Sequence, residues 1–118
     1  MSFNFDNNIP IYIQLAEQLK TEIISGKITT GERLLSVRDL ALNYKVNPNT
    51  MQRALTELEE TGLIFTERTN GKFVTNDTEL ILKYKKHYAE SLVNNFLGSM
   101  SDIGFSKDDT IKFLKEEE

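Results

Sequence analysis

A chain of 118 residues is long enough for one compact domain, or one small domain with an appendage. Its apolar fraction of 39% and charged fraction of 27% exclude a disordered chain, and the absence of cysteine excludes disulfides and thiolate metal sites. The net charge of -4 argues against nucleic-acid binding only on average, because residues 1–76 balance at -1 and residues 77–118 carry the remaining -3.

The opening MSFNFDNN has neither a basic n-region nor an apolar h-region, so no secretory signal is expected. No uninterrupted apolar run reaches membrane-spanning length, and the expected location is the cytoplasm. Phe3 and Phe5 precede an Asn-rich turn and are placed to tuck an N-terminal arm against the core. Pro10 opens the first helix, where a missing N–H costs nothing. Tyr12, Leu15, Ala16, Leu19 and Ile23 repeat at helical spacing along one face, and Gly26 stops it.

Residues 27–34 are too short and turn-rich for a helix, with Gly31 as the bend and Ile28 and Leu34 covering the core. Ser36 caps the second helix, with Asp39 completing a short-armed capping box. Leu40 and Ala41 face inward, a turn covers Asn43, Tyr44 and Lys45, and Val46 plugs the space beneath it. Asn47 and Pro48 are a preferred N-cap and first residue for the third helix, whose buried face is Met51, Ala54, Leu55 and Leu58.

Gly62 ends that helix. Residues 63–68 and 72–75 are β-prone and flank Thr69-Asn70-Gly71, a strong hairpin signal. Three helices followed by a hairpin define a winged helix-turn-helix. Asp77 or Thr78 then caps a long helix carrying an apolar stripe of Ile81, Tyr84, Tyr88, Leu92, Phe96, Met100 and Ile103. Leu80, Ala89, Val93 and Leu97 widen the stripe beyond what a solvent-facing helix needs. Gly104 breaks the helix, Ser106 and Asp109 suggest a further cap, and Ile111, Phe113 and Leu114 mark a short closing helix before a solvated acidic tail. The expected fold is therefore mainly α with a small β-hairpin: a winged helix-turn-helix over residues 1–76 and a two-helix dimerisation segment over residues 77–118.

Catalysis has little support. His87 is the only histidine, on a helical stretch whose inward face does not need it, and no nucleophile, glycine-rich phosphate loop or metal-ligand cluster accompanies it. No cofactor or metal is expected, and the chain is not expected to be an enzyme. The first turn of the third helix is different. Capping explains Asn47 and Pro48, but not the further donors Asn49, Thr50, Gln52 and Arg53 with no acid before Glu57. Such side chains suit phosphate oxygens and base edges. Arg38 and Lys45 add positive charge around that surface, although Arg38 has Asp39 and Glu32 as possible ion-pair partners. Arg68 and Lys72 bracket the hairpin tip, where a wing meets the DNA backbone or minor groove. The apolar stripe of the long helix is read as the seam that pairs two chains, since one reading helix rarely specifies enough DNA. The rival is a winged-helix protein-interaction module.

The run GERLLSVRDLALNYKVNPNTMQRALTELEETGLIFTERTNGKFV resembles the N-terminal domain of GntR-family bacterial transcription regulators, over about Pro10 to Thr75. The Asn-Pro-Asn-Thr helix start and the short two-helix tail are similar to the YtrA subfamily, whose members commonly sit near transporter genes. The resemblance implies a homodimeric repressor on a palindromic operator, paired through its C-terminal helices. It implies DNA contacts from Arg38, Asn47, Asn49, Thr50 and Gln52, and a wing-tip glycine at Gly71. Leu35 stands where the family usually has proline, Lys45 and Thr69 where it has glycine, and Gln52 where several relatives have arginine. Lys45 must therefore take a conformation that favours glycine, or the turn must differ. Residues 77–118 are too few to enclose a typical ligand pocket, so an effector would bind between subunits or at the domain junction.

Overall fold

The computed structural model describes residues 5–116. In chain order these form α1 (Ile11–Ile24), α2 (Val37–Tyr44), α3 (Pro48–Glu60), β1 (Ile64–Glu67), β2 (Gly71–Val74), α4 (Thr78–Asp102) and α5 (Lys107–Glu116). The mainly helical winged helix-turn-helix with following long helices matches the sequence expectation. Two compact units divide the chain, one up to Leu82 and the other from Lys83 onward.

In the first unit, α1 and α2 both pack on α3. The helical periodicities come together here: Leu15, Leu19 and Ile23 of α1, Leu40 and Ala41 of α2, and Met51, Ala54, Leu55 and Leu58 of α3 are all buried. Leu63, Ile64 and Val74 close this core from the side of the hairpin. Each fully buried Leu or Met side chain contributes roughly 1.5–3 kcal/mol of transfer free energy, which is what holds three short helices that would not persist alone. Tyr12, expected on the buried face of α1, is only half-buried, and Ile24 joins the core instead. Pro10 sits one position earlier than expected, as the residue capping α1 rather than its first helical residue.

The N-terminal arm is tied down by an amide rather than by aromatic packing alone. Gln14 Nε2 donates to the carbonyls of Asp6 and Ile9, both at 2.7 Å, and Asp6 N–H donates to Gln14 Oε1 at 2.8 Å. Phe5 is half-buried, and Phe3 lies outside the described residues.

β1 and β2 pair antiparallel with Ile64 opposite Val74 and Glu67 opposite Gly71. Arg68, Thr69 and Asn70 make the turn, so Arg68 belongs to the tip rather than to a strand as expected. Asn70 N–H donates to Glu67 O at 3.3 Å, and Gly71 follows with φ 94, the left-handed step that lets the chain re-enter the ladder. The connector before α2 bridges to this two-stranded sheet at a single residue: Leu34 N–H donates to Lys72 O at 2.8 Å and Val74 N–H to Glu32 O at 2.9 Å, with Arg33 opposite Phe73.

Asp77 caps α4, its Oδ1 accepting from Leu80 N–H at 3.0 Å, and the Leu80 side chain lies against the turn at Gly62. None of the described residues of α4 is buried. The helix ends at Asp102, so Ile103 falls just beyond it, ahead of Gly104 at φ 97.

In the second unit, Ser106 and Asp109 form a reciprocal capping box: Asp109 N–H donates to Ser106 Oγ at 3.1 Å and Ser106 N–H to Asp109 Oδ2 at 3.0 Å. The donation from Ser106 N–H, supported by the Ser106 side chain, holds the Asp109 carboxyl below its ordinary pKa. Phe105 and Phe113 meet edge to face with centroids 5.2 Å apart. Among the described residues no helix is long and apolar enough to cross a membrane.

Candidate nucleic-acid interface

The interface begins with the turn between α2 and α3. Ser36 Oγ accepts from Asp39 N–H at 3.1 Å and fixes the start of α2. That helix runs through Asn43 and Tyr44, so the turn is shorter than the sequence suggests and begins at Lys45. Lys45 adopts the left-handed conformation, φ 57 and ψ 47, and is the only non-glycine residue with positive φ among the described residues. Val46 N–H donates to Ala41 O at 3.0 Å and Lys45 N–H to Leu42 O at 3.2 Å. This pair of bonds is a Schellman closure, normally built on glycine. The chain makes this closure on a lysine at a cost of about 1 kcal/mol for placing a Cβ there.

A hydrogen-bonded cluster holds the same turn against α1. Tyr44 Oη donates to Glu22 Oε2 at 2.6 Å, and Gln18 Nε2 donates to the same oxygen at 3.0 Å. Burial, reinforced by the bond to Glu22 and its charge, pushes the Tyr44 phenol well above its ordinary pKa. The sequence reading did not single out Tyr44, because its partner lies 22 residues away on another helix.

Asn47 caps α3, its Oδ1 accepting from Asn49 N–H at 2.7 Å, and Pro48 takes the first helical position. The buried stripe of Met51, Ala54, Leu55 and Leu58 turns Asn49, Gln52 and Arg53 outward, while Thr50 is half-exposed. The amide of Gln52 lies 3.4 Å from Thr56 Oγ1. Arg53 folds back, its guanidinium 3.9 Å from the centroid of the Tyr12 ring, a cation–π contact that joins α3 to α1. Arg38 and Lys45 are exposed. Among the described residues neither makes an ion pair, so the expected competition from Asp39 or Glu32 for Arg38 does not arise. Glu32 is turned away: Thr29 N–H donates to its carboxylate at 2.9 Å and lowers its pKa.

In the wing, Arg68 is exposed at the turn, and Gly71 pairs with Glu67 at its base. Lys72 is committed elsewhere. Its Nζ donates to Thr66 Oγ1 at 2.8 Å and lies 3.5 Å from Glu59 Oε1, and Thr66 Oγ1 also donates to Glu59. This triad ties the wing to the last turn of α3 and fixes the wing relative to the reading helix. Of the five cations expected around the interface, Arg38, Lys45 and Arg68 are therefore exposed without an ion pair among the described residues, whereas Arg53 and Lys72 are engaged within the fold. Glu59 was missed because its role depends on a strand that comes later in the chain. His87 is exposed on α4. Among the described residues no three His, Cys, Asp or Glu side chains group as a metal site.

The model of the bacterial regulatory proteins of the gntR family matches residues 11–74, the span that builds this interface. The chain is 31% identical over 115 residues to the HTH-type transcriptional regulator YhcF of Bacillus subtilis, covering 98% of this chain and 95% of the relative. It is 37% identical over 76 residues to the HTH-type transcriptional repressor YtrA of the same organism, covering 64% of this chain and 58% of YtrA. Among solved structures, a GntR family transcriptional regulator from Listeria monocytogenes superposes with a TM-score of 0.87 at 43% identity, covering 97% of this chain and 100% of that one. The AraR DNA-binding domain in complex with operator ORR3 superposes with a TM-score of 0.54 at 25% identity, covering 64% of this chain and 88% of that one. The match over the reading helix and wing, together with full-length similarity to small relatives, shows that the chain belongs to the GntR family: it is a DNA-binding transcriptional regulator.

Proposed function

We propose that this regulator is a homodimeric repressor that binds a palindromic operator in the cytoplasm. In each protomer Asn49, Thr50 and Gln52 face the major groove, joined by the Asn47 amide nitrogen. Arg38 and Lys45 contact flanking phosphates, and Arg68 and Gly71 bring the wing onto the adjacent backbone. Arg53 and Lys72 support this surface by holding α3 to α1 and to the wing. The observation that carries the reading is the exposed donor face at the start of α3, with its position fixed by the Asn47 cap and the closed Lys45 turn. The repressor assignment is supported by the likeness to YtrA. A transporter operon as target follows from the resemblance to that subfamily.

Pairing is supported by α4 and its neighbour residues. Tyr88, Leu92, Val93, Phe96 and Ile103 are between 41% and 70% exposed, far more apolar surface than one helix leaves in water. Ile81, Tyr84 and Met100 complete the stripe at intermediate exposure. A second chain burying these side chains gives the two-fold arrangement that a palindrome requires. The test is a titration of the full chain with a duplex from its own upstream region, across a range of salt. Steep salt dependence, a preference for a palindromic segment and two chains per site are expected. Equal, weak binding to every duplex would contradict specific repression.

A further inference from the structure

Arg33 belongs to the connector between α1 and α2, and the fold brings it onto the wing. The bonds from Leu34 N–H to Lys72 O and from Val74 N–H to Glu32 O hold it opposite Phe73, five positions ahead of Arg38 in the chain. Its side chain is exposed and lies along Gly71, where a Cβ would come 3.5 Å from Arg33 Nε and 3.6 Å from Nη2. The guanidinium thus lies beside the Gly71 backbone at the base of the wing turn, with Arg33 exposed to solvent. Acids of the connector, the wing and the end of α3 have partners of their own. Glu32 accepts from Thr29, Glu67 accepts from Asn70 Nδ2 at 3.1 Å, and Glu59 takes Lys72. Among the described residues Arg33 makes no ion pair.

A guanidinium that is held in place, uncompensated and exposed to solvent is a ready partner for a phosphodiester, which it binds through two parallel N–H donors. We propose that Arg33 is a DNA-backbone contact, binding a phosphate between those met by Arg38 at the start of α2 and by the wing turn. The proposal rests on the DNA-binding reading of the same face and adds a residue to it.

The test compares the full-length chain with Arg33→Ala, Arg33→Gln and Arg33→Lys on two duplexes of equal length, one from its own upstream region and one of mixed sequence, by fluorescence anisotropy across a salt series. The neutral variants should weaken both duplexes by the same factor, about tenfold near 0.1 M salt, and reduce the log–log salt slope by about one. Arg33→Lys should keep the wild-type slope and recover part of the affinity, since it keeps the charge and loses the fork. Wild-type affinity and slope in both neutral variants would overturn the proposal and leave the DNA reading standing. A loss confined to the upstream duplex, with the slope unchanged, would also overturn it in favour of base readout. Failure of the wild-type chain to bind either duplex would overturn the DNA reading, and Arg33 with it.

Discussion

The two compact units of this chain use their apolar residues in opposite ways. Up to Leu82, the long apolar side chains of three helices and a hairpin converge until Leu15, Met51, Leu55, Leu63 and Val74 are completely out of water. From Lys83 onward, no long apolar side chain among the described residues is buried, and Leu92, Phe96, Ile103 and Leu114 all stand at least 46% exposed. A groove of about 320 Å³ lined by Gly104, Phe105, Asp109, Lys112, Phe113 and Glu116 adds to this open surface. The first unit is a finished object with its own core. The second leaves its long apolar side chains in water, and the proposed pairing of two chains would cover them.

That contrast can be broken most forcefully in the core. Leu55→Ala should destabilise the first unit by roughly 2–5 kcal/mol, because a fully buried leucine leaves a cavity; chemical denaturation monitored by circular dichroism measures it. The equivalent change in the second unit should act differently. Leu92→Glu with Phe96→Glu should leave the cooperative unfolding of the winged domain intact while shifting the chain toward monomer, as read by sedimentation at micromolar concentration. A stable wild-type monomer, or a dimer indifferent to both changes, would remove α4 as the seam.

Within the reading unit the expected effects grow smaller. Arg38→Ala should weaken operator binding by about 1–3 kcal/mol without moving the thermal midpoint, since its guanidinium makes no ion pair among the described residues. Lys45→Gly should raise stability by about 1 kcal/mol by relieving the left-handed strain, with the turn geometry unchanged. An unchanged or lower midpoint would mean that the Lys45 stem makes up for the strain.

The smallest effect is in acid. Asp109 has a lowered folded pKa because the Ser106 N–H, and then the Ser106 side chain, hydrogen-bond to its charged form. A depressed folded value contributes stability that is full above the ordinary aspartate pKa and is lost as the pH falls through the lowered one. Helicity of α5 should therefore fray only in strong acid, and Asp109→Asn should flatten that acid limb of a circular-dichroism titration.

Most of the first unit was legible in the sequence because its signals are local. Asn47-Pro48 names a helix start, Asn70-Gly71 a hairpin, and the Met51-to-Leu58 spacing a buried face, each within one element. The errors and omissions lie where distant segments meet. Asn43 and Tyr44 read as turn residues because nothing nearby shows that Glu22 and the Schellman closure will extend α2 through them. Lys72 read as a free cation because Glu59 and Thr66 reach it only once the sheet has formed. Arg33 was invisible for the same reason: its bridge to Phe73 of the wing joins residues about forty apart in sequence. At the Lys45 turn, the sequence left two outcomes open, and the backbone takes the strained one.

The central claim is that two reading units, joined through α4, bind one palindromic operator. Its most direct measurement is the stoichiometry and salt dependence of binding to a duplex from the chain's own upstream region, by analytical ultracentrifugation with labelled DNA. Two chains per specific site, an affinity that falls steeply with salt, and loss of that cooperative complex in the Leu92→Glu and Phe96→Glu variant are expected. A single chain bound per site with unchanged affinity in that variant would contradict it.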